Sequence, residues 1–214
     1  MDQHVPATYP VAVGGSPRFW IATACVATAA AAAFNIFVEP AQGPAVLPLE
    51  NGPIELLQVV LLVGCIVALI VTFVRSASSD IAAFSLILAY VLFHATVREL
   101  PRCDSAYYEG GPCFPFEWKD WARLAATALA LLAALLKRIG WRATNWTRDR
   151  SWTVPSAAIV AVLAAGQVAS RLVYVGLEEV LELAGYIILM VLCLNVLMRE
   201  LARSAASRRR PGPG

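Results

Sequence analysis

The chain has 214 residues and a formal charge of only +2, with 59% hydrophobic and 15% charged residues and a mean hydropathy of +0.65. Ordinary soluble domains are roughly 45–50% apolar and about 25% charged, so these values exclude a disordered chain and point to lipid as the solvent. The basic residues are divided among short loops and a tail, with no continuous stripe to follow a phosphate backbone, which excludes a nucleic-acid binder.

The expected fold class is an all-α integral membrane protein, because a backbone in hydrocarbon must satisfy its own polar groups. A spanning helix needs about 20 mainly apolar residues to cross roughly 30 Å. Residues 1–18 read as a short N-terminal segment, followed by a first span at 19–38. Its alanine run at 29–33 has the small-residue character of a cleaved secretory signal. The apolar sequence continues through Phe34, Ile36, Phe37 and Val38, so a retained span is expected. The second and third spans fall at 53–74 and 81–97, and a long loop covers 98–120. The fourth, at 121–137, is the weakest: its unbroken apolar stretch is only 124–136, and it relies on Arg123 and Lys137 reaching the interfaces. The fifth and sixth fall at 154–174 and 180–198, completing a bundle of six transmembrane helices over residues 19–199. Residues 200–214 form a basic tail, expected to be disordered from residue 204. Spans two and six both begin with a Glu-Leu element before a long apolar run, a weak hint of a parallel repeat.

Lys and Arg accumulate on the cytoplasmic side of short loops. The alternation places twelve basic and four acidic residues on the side of both termini, against five basic and eleven acidic on the other. Both termini are therefore expected in the cytoplasm. Fifteen Arg against two Lys, with abundant Ala, suggest a GC-rich bacterial genome and hence a bacterial inner (plasma) membrane. Cys103 and Cys113 then lie in a periplasmic loop and are expected to form a disulfide, worth about 2–3 kcal/mol by chain entropy. Cys25, Cys65 and Cys193 lie inside spans, and without a CxxC pair no zinc site is expected. The aromatic residues of the loop, Tyr107, Tyr108, Phe114, Phe116 and Trp118, suit a cap lying on the membrane surface.

Ionisable groups in or beside spans cost insertion energy, so they tend to face protein or water. Here they gather at the outer ends of four spans. Glu55 and Gln58 share a face of span two, and His94 and Arg98 share one of span three, with Glu99 following. Gln167, Ser170 or Arg171, and Tyr174 form a stripe on span five. Span six opens with Glu178, Glu179 and Glu182, with Tyr186 a turn deeper. The expectation is an outward-facing acidic, His and Arg cluster that binds an ion, a small polar solute or a partner, unless these charges are interface residues and packing ion pairs. Glu55, His94, Glu179 and Glu182 are the candidate ligands for one divalent metal ion, since carboxylates and imidazole suit Ca²⁺, Zn²⁺, Mn²⁺ or Fe²⁺. With such a metal, the alternative is a hydrolase acting on a lipid-like substrate at the periplasmic leaflet.

No HExxH, GxSxG, GxxxxGK[ST] or GxGxxG motif is present. The Glu178-Glu179 pair is similar to the glutamate pair of CAAX-type intramembrane proteases, but Leu183 stands at that pattern's arginine and no histidine follows residue 94, which excludes the family. A transporter would use Glu182 or Glu55 as its titrating group with Arg171 as counter-charge, yet no ionisable residue is expected near the midplane, where cargo usually sits.

Overall fold

The computed structural model describes residues 16–38, 53–104, 113–139, 150–171 and 175–208. These residues form six α-helices and no strand: α1 Pro17–Val38, α2 Pro53–Arg75, α3 Ser79–Glu99, α4 Phe116–Leu136, α5 Arg150–Arg171 and α6 Val175–Arg208. An isolated bridge pairs Arg102 with Phe114. It closes the base of the loop tied by the Cys103–Cys113 disulfide, whose Cα atoms are 5.0 Å apart.

Local chemistry sets the helix ends. The Ser16 hydroxyl accepts the Phe19 N–H at 3.3 Å, and Pro17 takes the first helical position, where its missing N–H costs nothing. Pro53 opens α2 in the same way, with Glu55 in the first turn and Arg75 in the last, as the helix dipole favours. α3 repeats that polarity with Asp80 and Arg98. Only residues 76–78 join α2 to α3. The Ser78 N–H bonds to the Ser76 hydroxyl at 3.2 Å, and the two helices return antiparallel. Beyond α4, Arg138 adopts a left-handed φ of 49° and the Ile139 N–H bonds back to the Ala134 carbonyl at 3.0 Å, a helix-ending pattern usually built on glycine. Lys137 beside it donates to the Phe73 carbonyl and lies 4.6 Å from the centre of the Phe73 ring, so α4 caps the last turn of α2.

α6 is the axis of the bundle. It packs against α1, α2 and α5, while α2 also packs against α3, and α4 packs on α3. The spacings that drive this are heptad-like. On α2, Ile54, Gln58, Leu62, Cys65, Leu69 and Thr72 form one buried stripe. On α6 the stripe is Glu182, Tyr186, Leu189, Cys193, Val196 and Glu200, with a carboxylate at each end. On α3 it is Ser85, Ala89, Leu92 and Thr96, continued by Glu99. Gly185 lets Leu163 of α5 approach closely: a Cβ there would meet Leu163 Cδ2 at 2.7 Å. The opposite face of α2 carries Val60, Val63, Val67, Ile70 and Val74, all exposed. A helix apolar on both faces requires an apolar surrounding, so this is a helical membrane protein.

Six helices occur where six were expected, but among the described residues only four are long and apolar enough to cross a membrane: α1, α2, α3 and α6. α4 carries Glu117, Lys119, Asp120 and Arg123 in its first turns, and the apolar part of α5 is the shorter stretch Val154–Ala169. α4 also begins at Phe116, upstream of the expected 121. α6 runs on to Arg208, so the first part of the segment read as a tail is helical. Its sequence there is rich in Ala and Arg, which favour helix, and Arg203 pairs with Glu200 one turn back at 2.7 Å.

Candidate functional site

The disulfide end of the bundle gathers charges from four helices. The Arg98 guanidinium, at the end of α3, donates to Glu99 Oε1 from both Nε at 3.0 Å and Nη2 at 2.7 Å. The same Nη2 donates to Glu182 Oε1 of α6 at 3.0 Å. Gln167 of α5 donates its amide to that Glu182 oxygen, also at 3.0 Å, and the Tyr186 hydroxyl donates to Glu99 Oε1 at 3.1 Å. Gln58 of α2 donates to Glu179 Oε2 at 3.0 Å. Burying a carboxylate costs several kcal/mol unless charge and hydrogen bonds replace its water. The Glu182 and Glu99 side chains are only 7% and 11% exposed, and both are held by Arg98, which keeps 55% of its own side chain exposed. One half-hydrated cation thus serves two nearly dry anions.

The heptad stripes explain who takes part. Glu99 follows Leu92 and Thr96 on the core face of α3, and Glu182 and Tyr186 lie on the core face of α6. His94 falls on the flank instead: its ring packs edge-on against Tyr90 at 4.6 Å, and the Tyr90 hydroxyl bonds to Thr127 of α4 at 3.1 Å. His94 Nε2 is buried without a hydrogen-bond partner among the described residues. The four candidate metal ligands are therefore not gathered. Glu179 is held by Gln58, and Glu182 by Arg98 and Gln167. Among the described residues no three His, Cys, Asp or Glu side chains are grouped to hold a metal ion. Arg171 is exposed and Glu178 half-buried, and the two form no ion pair with each other among the described residues. Tyr174 lies outside the described residues.

Beside the network is a cavity of about 360 Å³. Glu55 of α2 and Glu99 contribute acids to its lining, while Arg98, Arg102, Lys119 and Arg123 contribute bases. Lys119 is buried and donates to the Leu100 carbonyl. Arg123 pairs with Asp120 at 3.1 Å. Arg102, Lys119 and Arg123 were not among the site residues expected from sequence. For Lys119 and Arg123 the signal was the Pro115-Phe116-Glu117 start, which opens a helix and places them on one face, four residues apart; Arg102, outside any helix, had none.

The fold and this charged end define a helical membrane protein with a polar network opening on a cavity. Comparison with known proteins adds no relative: no family model, no curated protein and no solved structure matches the chain.

Proposed function

We propose that this is a six-span protein of a bacterial inner membrane, with both termini cytoplasmic and the disulfide end periplasmic, whose charged end binds a small polar solute. The basic bias of the loops supports the orientation, as does a disulfide that belongs in an oxidising compartment. Arg123 and Lys137 at the two ends of the apolar part of α4 support its crossing as a short span. The observation that carries the binding reading is the Arg98 guanidinium, shared between Glu99 and Glu182, with an exposed side directed to a cavity that has more basic than acidic groups. Packing alone requires the ion pairs but gives no reason for the cavity or for Arg102 in its wall, which makes no ion pair among the described residues.

Thermal unfolding of the detergent-purified protein tests this against millimolar inorganic phosphate, sn-glycerol 3-phosphate, acetate and ethanolamine. At least one of the four raises Tm in the wild type, and the rise disappears in Arg98→Gln. A flat response to all four in the wild type returns the cluster to helix packing.

A further inference from the structure

We infer that the cavity between the ends of α3 and α4 holds the phosphate of a phospholipid headgroup; this deepens the solute-binding reading and rests on it. Charge is the first argument. The lining carries four basic groups against two acidic ones; Arg98 is engaged by Glu99 and Glu182 and Arg123 by Asp120, which leaves Arg102 as the guanidinium to meet an anion. Arg102 makes no ion pair among the described residues. Phosphate oxygens match the planar fork of a guanidinium and accept charge-assisted hydrogen bonds from it. Lys119 places an ammonium in the same wall, held there by the Leu100 carbonyl.

Size and position supply the second argument. Ligand pockets span about 300–1,000 Å³, so a cavity of about 360 Å³ suits a headgroup and leaves the acyl chains outside. It lies where the apolar length of α3 has ended at Glu99 and the apolar run of α4 has not begun, the level at which lipid phosphates sit. Phe116, Trp118 and Trp121 are exposed next to it, Trp118 at 68%, and aromatic rings favour this interface. Below them α4 exposes Leu124, Leu129, Leu131, Leu132 and Leu135, an apolar path along which acyl chains lie. A free phosphate ester needs none of this apolar rim, which is why a lipid is the occupant.

Native mass spectrometry of the full chain in mild detergent tests the inference, using phosphatidylethanolamine, phosphatidylglycerol and sn-glycerol 3-phosphate as probes. The wild type holds one phospholipid. Arg102→Gln/Arg123→Gln, both at partly or fully exposed positions and checked for unchanged thermal unfolding, binds it at least tenfold more weakly, as expected for losing charge-assisted bonds. Arg75→Gln, which removes a cation at the other end of α2, leaves binding unchanged. Equal weakening in Arg75→Gln, or no weakening in the double variant, overturns the site. Glycerol 3-phosphate binding as tightly as the phospholipids overturns the lipid assignment and leaves the solute reading standing. Binding of none of the three probes, together with a flat thermal response to the four solutes, removes both.

Discussion

Arg98 serves two carboxylates with one guanidinium, so its removal strands both. Arg98→Met is expected to cost about 3 kcal/mol, the usual penalty for leaving buried charge uncompensated. Arg123→Met should cost under about 1 kcal/mol, because its pair with Asp120 faces solvent, with side chains 36% and 54% exposed. Thermal unfolding in one detergent measures both, and equal losses would mean that Glu99 and Glu182 are better hydrated than their burial implies. A separate residue-scale effect lies at Arg138, whose φ of 49° is costly for any side chain with a Cβ. Arg138→Gly should stabilise the protein by about 0.5–1 kcal/mol, read as a rise in Tm. Spacing along each helix was enough to nominate Gln58, Arg98, Glu99, Gln167, Glu179 and Glu182. It could not separate His94 from them: His94 and Arg98 are four apart, and whether that shared face meets α6 or α4 depends on packing between helices. Lys119 was hidden for a different reason, since the aromatic- and proline-rich sequence around it resembles a surface loop until the start of α4 is placed.

α5 and α6 meet through two glycines with different demands. At Gly185 an added Cβ would come within 2.7 Å of Leu163 Cδ2 and 3.1 Å of its Cγ, whereas at Gly166 the nearest atoms are 3.5 Å away. Gly185→Ala therefore forces α5 outward or Leu163 into a new rotamer, at about 1–3 kcal/mol. Gly166→Ala fits as it stands and gains up to about 1 kcal/mol in helix propensity. Reversed signs in the two unfolding curves would contradict the α5–α6 packing. Both glycines stand out in the sequence as small residues inside apolar runs, which permits close helix contact. Which of them tolerates a methyl group depends on a leucine in another helix, and no pattern within α6 records that. The six helices were legible because long apolar runs separated by proline and charge leave little choice. The standing of α4 and α5 as spans was less so, because four charges in the first turns of α4 and an apolar stretch of 16 residues in α5 sit at the margin where neighbours decide.

At the scale of the molecule, membrane topology is the property to test. If α4 and α5 both cross, the segment between them lies opposite the disulfide loop. In intact cells a membrane-impermeant maleimide should label Cys103 and Cys113 after reduction, and should reach Thr144→Cys only after permeabilisation. Labelling of all three from outside would leave four spans and place α4 and α5 on the periplasmic surface. The axial helix has a consequence of its own. With 34 residues at 1.5 Å each, α6 is about 51 Å long, well beyond the roughly 30 Å hydrocarbon core. Glu182 and Glu200 are five full turns apart, about 27 Å along one uninterrupted face. Each is buried and held by an arginine, Arg98 at one end and Arg203 at the other. The Glu200–Arg203 pair lies within α6 and travels with it. A rod of this kind is a lever: a tilt of about 5° pivoting near Glu200 moves Glu182 by roughly 2 Å, enough to break its bond to Arg98 of α3, so a displacement at one end of the helix is felt at the other.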